Sequence, residues 1–363
     1  MKQITIQVPN SETMSYKVKA ICLKSSLLLA FLLLLQPVFS QYNFSELNET
    51  LTTNQKTLGT NIVFLLWNKD SLLYKKEMGG FNSKTQAPIA SCSKWLTAAL
   101  VMIFVDEGKI SLDDPVVKYI PVFGNYFKNY ITIRQCLSHM TGIKSDENVF
   151  KKILERKKYT SLEDEVNSFA AKDIQANPGT EFRYSEIGLN IAGRILEIVS
   201  KRRFDLLIKQ KLFNPLGMRR TTFTTLDGSA VNPSGGAQST PDDYMKFLVM
   251  LLNKGKYNGQ QILSESAIAQ MMQTQTTLDK IKYAPKVAQG YNYALGSWVE
   301  EQGKDDRANV LTSPGLFGTW PLVDFCRGYA YIVFVKNLLS EERADANMEI
   351  KKAIDKQISS SCE

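Results

Sequence analysis

The stretch Ala87-Pro88-Ile89-Ala90-Ser91-Cys92-Ser93-Lys94-Trp95-Leu96-Thr97-Ala98-Ala99-Leu100-Val101-Met102-Ile103-Phe104-Val105 decides how the chain reads. Pro88 and Ile89 suit an extended approach, and about four turns of apolar, helix-favouring residues follow. A helix from Ser91 to Glu107 is predicted, with Gly108 just past its end, where a left-handed residue is wanted. Ser91 and Lys94 stand at its front on one face of the first turn. A hydroxyl beside an amine suggests a nucleophile and its base, because serine at neutral pH needs a base within hydrogen-bond reach. Burial and a helix N-terminus both lower the pKa of an amine. A helix-capping serine with a surface lysine has the same spacing, so other segments must discriminate.

Strand-like segments lie on either side of a helical middle. Asn61 to Trp67 is a buried-strand run, Asn68-Lys69-Asp70 a turn, and Ser71 to Glu77 the returning strand, closed by Gly79-Gly80. Helices are predicted from Thr132, from Glu186 to Val199, from Phe204 to Phe213, from Thr240 to Asn253, from Ser264, and over a charged surface section at 146–172. From Gly290 the pattern returns to strands: Tyr291 to Val299, Asn309 to Thr312, Gly318 to Asp324 and Gly328 to Lys336. A last helix spans Glu341 to Ile358. The fold class is therefore α+β. An antiparallel sheet joins an N-terminal portion (about 55–90) to a C-terminal one (286–363), with a mostly helical region (91–285) inserted between them. Ser91 falls at the join, where clefts commonly form.

The chain has 363 residues and 44% hydrophobic content, enough for a sizeable core without staples. Its first 40 residues read differently. Lys17, Lys19 and Lys24 precede an apolar run from Leu27 to Leu35, and Val38 and Ser40 suit a cleavage site. This reads as a secretory leader (1–40) cut after Ser40, ahead of one domain (41–363), with Met14 as an alternative start. The run is short for a membrane span, so no stable span is expected after cleavage; an uncleaved signal anchor is the alternative. The expected location is secreted or periplasmic.

The formal net charge is +8, and the four Lys and one Glu before Gln41 account for three of those positive charges. The remainder is spread along the chain and forms no nucleic-acid-binding stripe. Cys92, Cys136, Cys326 and Cys362 lie far apart, without paired metal spacing. No disulfide framework, zinc site or cofactor is expected, and Cys92 should be packed and reduced.

A second segment favours the catalytic reading of Ser91. Tyr184-Ser185-Glu186 follows the Pro178-Gly179 turn and precedes a helix. A tyrosine fixed beside a lysine can be held partly as phenolate and relay protons. The sole histidine, His139, would have to serve any Ser-His-Asp triad.

Taken together, the chain resembles the serine β-lactamase-related family: class C β-lactamases, penicillin-binding D-alanyl carboxypeptidases and related esterases. The resemblance rests on Ser91-Cys92-Ser93-Lys94; on Asp106 to Val116; on Leu137-Ser138-His139-Met140-Thr141-Gly142-Ile143; on Pro178-Gly179 with Arg183-Tyr184-Ser185; on Asn214-Pro215-Leu216-Gly217-Met218; and on Gly235 to Asp243. It covers about residues 55 to 336 in the right order. It implies a β-lactamase/transpeptidase-like fold and Ser-Lys-Tyr acyl transfer. Ser91 would be acylated, Lys94 would deprotonate it, and Tyr184 would act as a base. The family treats the His139 segment as a structural landmark away from the nucleophile.

Two departures qualify the resemblance. Where the family often has Tyr-x-Asn, Glu186 fills the third place. A carboxylate cannot donate to a substrate carbonyl, and it raises the pKa of a nearby lysine. There is no Lys-Thr-Gly either; the best match is Ser313-Pro314-Gly315-Leu316-Phe317-Gly318. Ser313 then replaces the cation that binds a β-lactam carboxylate, Gly315 permits close approach of substrate, and the Leu316 amide is the expected oxyanion donor beside that of Ser91. The implied partner is a small-molecule ester or amide. The alternatives are a cell-wall-like or β-lactam substrate, or a non-catalytic binding protein on the same fold.

Overall fold

The computed structural model describes Met1, Gln3 and residues 42–145, 158–225 and 227–362. The leader pattern and the front of the 146–172 section lie outside the described residues. Two compact units are distinguished, Met1–Asn43 and Phe44–Glu363. The four described residues of the first lie outside regular secondary structure.

The second unit is built on a seven-stranded antiparallel sheet. Its strands are β1 (Ile62–Asn68), β2 (Leu72–Met78), β3 (Asn292–Tyr293), β4 (Trp298–Gln302), β5 (Ala308–Thr312), β6 (Trp320–Asp324) and β7 (Tyr329–Val335). The order is β2-β1-β7-β6-β5-β4-β3. β1 and β7 pair from Ile62↔Val335 to Asn68↔Tyr329, which joins the two ends of the chain as the sequence predicts. β7, Tyr-Ala-Tyr-Ile-Val-Phe-Val, is buried throughout because both faces of the sheet are covered. The edge strand β2 carries Lys75 and Lys76, charges that discourage further strand pairing.

On one face, Val63, Leu65, Ala330, Ile332 and Phe334 enter the main core. There they join α1 (Ser93–Asp106), α2 (Ile187–Ser200) and α3 (Pro241–Leu252). Every residue of α1 from Ser93 to Phe104 is buried, as a helix apolar on all sides requires. Each large apolar side chain so buried contributes about 1.5–3 kcal/mol. Gly108 follows α1 with φ +66°, the left-handed turn expected of it. On the other face, Phe64 packs against Tyr331 and Tyr74, and Tyr74 against Phe44 at the start of helix Ser45–Thr53. α4 (Glu341–Asp355) covers the same face. The Tyr329 hydroxyl donates to Asp355 at 2.6 Å, and Lys351 bonds Glu301 (2.6 Å) and Asp355 (2.7 Å).

Two expectations are corrected. Cys326 and Cys362 form a disulfide, where the wide sequence spacing predicts none. α4 runs back over the sheet and returns the C-terminal tail to the β6–β7 turn, where Ser361 N also donates to Cys326 O. Cys92 and Cys136 are buried and free. The helix predicted from Phe204 to Phe213 is regular only to Ile208 and continues as a π-helix over Lys209–Phe213. Among the described residues, no helix is long and apolar enough to cross a membrane.

Candidate active site

Ser91 sits in a one-turn 3₁₀ segment, Ala90–Cys92, which runs directly into α1. Ala90 has φ +45°, a costly value for a residue with a Cβ. Contacts from residues 233–244 hold it there. Ile89 N donates to Ala237 O (3.0 Å), Ala237 N to Ser93 Oγ (3.0 Å), Thr97 Oγ1 to Pro233 O (2.6 Å) and the Tyr244 hydroxyl to Cys92 O (2.9 Å). Ala87–Pro88 also pairs with Gln238–Ser239 as a short antiparallel ladder. The strained turn is thus fixed from outside, with Ser91 at the wall of a cavity.

Lys94 is 2% exposed. Its Nζ donates to Ser91 Oγ at 3.1 Å and to the Ser234 carbonyl at 2.9 Å, and lies 4.8 Å from the centre of the Tyr184 ring. Burial lowers its pKa to about 8, against the opposing pull of the Glu186 carboxylate. A substantial neutral fraction therefore exists slightly above neutral pH, and only the neutral amine can take a proton.

Tyr184 is held between rings. His139 lies 4.6 Å and Trp298 5.2 Å from its ring centre. Tyr184 N donates to Tyr283 O (3.0 Å) and Arg183 N to His139 O (3.0 Å). Burial pushes the phenol pKa well up, with a hydrogen bond to Ser91 pulling the other way and Glu186 adding to the rise. Tyr184 is therefore a neutral phenol at rest, not the partial phenolate expected from sequence.

His139 also lies closer to the site than the family landmark implies. Its Nδ1 accepts from Ser185 N at 3.4 Å, so Nε2 carries the hydrogen and donates to the Tyr293 hydroxyl at 3.1 Å. Its ring also packs against those of Phe182 and Tyr293, with centres 5.6 and 4.9 Å away.

The cavity encloses 710 Å³ and is lined by Ser91, Lys94, Tyr184, Glu186 and Leu316 of the residues singled out in the sequence. Ser313 and Gly315 stand behind its wall. The Ser313 hydroxyl donates to the Ser91 carbonyl (3.3 Å) and more weakly to the Gly296 carbonyl (3.5 Å). Ser313 therefore braces the nucleophile turn. A Cβ on Gly315 would lie 2.3 Å from Ile89 O, so only glycine lets this segment pass so close. The Leu316 carbonyl accepts from Leu339 N (2.8 Å), and no hydrogen bond among the described residues engages the Leu316 N–H.

Asn232, Val287, Phe317 and Leu339 also line the cavity, as do Lys286 and Glu341, paired at 3.0 Å. Phe317 belongs to the Ser313–Gly318 segment already singled out; sequence reasoning missed the other five because they lie on loops, in a short 3₁₀ turn or at a helix start, where no periodicity marks them.

The family model described as Beta-lactamase matches residues 49–354. Protein flp of Staphylococcus aureus (strain MW2) is 30% identical over 142 residues, covering 38% of this chain. The match spans only 28% of the length of that relative. A solved structure of a provisionally assigned beta-lactamase from Bacteroides dorei DSM 17855 is 26% identical, with a TM-score of 0.76, covering 87% of this chain and 99% of the other. A family VIII carboxylesterase shares the fold at 18% identity, with a TM-score of 0.71 over 87% of this chain and 97% of its own.

Proposed function

The chain belongs to the beta-lactamase family, whose members are serine hydrolases, and we propose that it hydrolyses a small ester or amide through an acyl-enzyme on Ser91. The observation that carries this reading is Lys94 Nζ at 3.1 Å from Ser91 Oγ, with Tyr184 against both, at the wall of the cavity. Neutral Lys94 takes the Ser91 proton as Oγ attacks the substrate carbonyl carbon. The Ser91 and Leu316 amides hold the resulting oxyanion. When the bond to the leaving group breaks, the proton passes through the Tyr184 phenol to the departing oxygen or nitrogen. Water then attacks the acyl ester, giving up a proton to the same pair, and Ser91 regains its own.

A D-Ala peptidase or β-lactamase would need a cation for the substrate carboxylate. The lysines lining the cavity are Lys94, engaged with Ser91 and Ser234, and Lys286, paired with Glu341. This ranks the ester or small-amide reading above the β-lactam one, and the retained Ser91–Lys94 pair ranks both above a non-catalytic role. We also place the mature chain outside the cytoplasm. The leader pattern supports export, and the Cys326–Cys362 disulfide suits an oxidising compartment.

Hydrolysis of p-nitrophenyl butyrate tests the reading. Activity that falls by about a thousand-fold or more in Ser91→Ala supports it, and activity unchanged in that variant refutes it.

A further inference from the structure

We propose that Lys286 and Glu341 form a clasp across the mouth of the cavity, one that slows the entry of bulky substrates and releases when their ion pair is broken. This rests on the acyl-enzyme reading above and narrows the substrates that reach Ser91.

The two residues belong to separate walls. Lys286 begins a 3₁₀ turn, Lys286–Ala288, shortly after the strand Ile281–Tyr283. That strand pairs in parallel with Phe182–Arg183, and Tyr283 O accepts from Tyr184 N at 3.0 Å. One wall is therefore tied to the backbone of Tyr184. Glu341 is the first residue of α4. The segment leading into it is held by different partners: Asn337 N donates to Phe317 O (2.9 Å) and Leu339 N to Leu316 O (2.8 Å). The second wall is therefore tied to the segment that carries the Leu316 amide.

Lys286 Nζ and Glu341 Oε1 meet at 3.0 Å, and both residues line the cavity. Their side chains are 77% and 61% exposed, whereas Lys94 beside Ser91 is buried. The pair thus sits where the cavity meets solvent. Among the described residues, no other hydrogen bond or ion pair joins residues 284–289 to residues 338–342. Val287 and Leu339 line the cavity from the same two segments, so their spacing follows the state of the clasp.

The clasp is weak, which suits a device that must open. An exposed ion pair loses most of its attraction to solvent and to side-chain entropy, and salt screens it further. Glu341 lies in the first turn of α4, where the helix dipole favours a negative charge. Lys286, a charge on a flexible four-carbon stem, is the arm that lets go.

The test uses two fluorophosphonates with the same reactive group: one carries a short alkyne tag, the other a rhodamine on a long tail that must leave through the mouth. The rate of Ser91 labelling is measured for each. The wild-type ratio of long-tailed to short rates should rise about two- to five-fold when NaCl is raised from about 0.05 to 0.5 M. Lys286→Gln and Glu341→Gln should each show the raised ratio at low salt, with no further gain from salt. The exchanged pair, Lys286→Glu with Glu341→Lys, should restore the low ratio and its salt dependence. Hydrogen exchange needs no labelling. The Ala288 and Gln289 amides, which donate to Pro285 O and Lys286 O, should exchange faster in both Gln variants than in the wild type. A ratio that neither salt nor the Gln variants change, an exchanged pair that behaves like the single variants, or unaltered exchange overturns the proposal. If Ser91 labels with both probes at an invariant ratio, only this inference falls. If neither probe labels Ser91, the acyl-enzyme reading falls, and the exchange rates alone decide whether the clasp exists.

Discussion

Lys94 Nζ donates to Ser91 Oγ across 3.1 Å while burial lowers the lysine pKa to about 8. The base is therefore mostly protonated at pH 6 and mostly free at pH 9. Ester hydrolysis should rise through a single ionisation near pH 8 in kcat/KM, which reports the free enzyme. Removing the Glu186 charge with Glu186→Gln takes away an attraction that raises the Lys94 pKa, so the limb should move to lower pH. A pH–rate profile of both proteins checks this; a limb that stays put removes Glu186 from the electrostatics of the base.

The ring of His139 lies 4.6 Å from that of Tyr184, and its Nδ1 accepts from Ser185 N. His139→Ala should loosen the tyrosine, lowering kcat about ten- to hundred-fold with a smaller change in KM. It should also cost about 2–4 kcal/mol of stability through the buried space it vacates. Tyr293→Phe keeps the packing but leaves the buried Nε2–H without its acceptor, so it should cost about 1–3 kcal/mol with a smaller effect on kcat. Urea titrations with steady-state kinetics separate the two effects.

Glu300 on β4 is pushed up to about 7, chiefly by burial, with Lys351 opposing and Glu301, Asp355 and Asp324 adding to the rise. Its Oε2 has no hydrogen-bond partner among the described residues. A carboxyl with a raised folded-state pKa contributes stability below the ordinary carboxylate range, and that contribution is lost as pH rises through about 7. Glu300→Gln should therefore raise the melting temperature at pH 8 and change it little at pH 4. Thermal melts at the two pH values decide this.

The Cys326–Cys362 disulfide ties the tail beyond α4 to the β6–β7 turn and closes a loop of sequence separation 36. Cys362→Ser should cost about 2–4 kcal/mol by denaturant unfolding, and dithiothreitol should weaken the wild type but not the variant.

Local signals in the sequence carried much of the fold. Thr132 caps its helix through a capping box with Gln135, Thr240 accepts from Asp243 N, and Ser264 from Ala267 N. The strand runs at both ends pair directly because both segments are continuous apolar stretches. That Ser91, Lys94 and Tyr184 meet at one cavity was legible because motif spacing and order are written in the sequence. The Cys326–Cys362 bond was not, because it depends on where α4 returns the tail. Asn232 and Leu339 were not, because loops from different parts of the chain make the cavity wall. The neutral state of Tyr184 was hidden as well, since it follows from burial among His139, Trp298 and Lys94, which no local pattern encodes.

The account turns on Ser91 becoming acylated. Intact-protein mass spectrometry after reaction with a fluorophosphonate, followed by peptide mapping, tests this most directly. The predicted result is a single adduct on the peptide containing Ser91, absent from Ser91→Ala and strongly slowed in Lys94→Ala. A wild-type protein that takes no adduct, or an adduct that persists in Ser91→Ala, would contradict it.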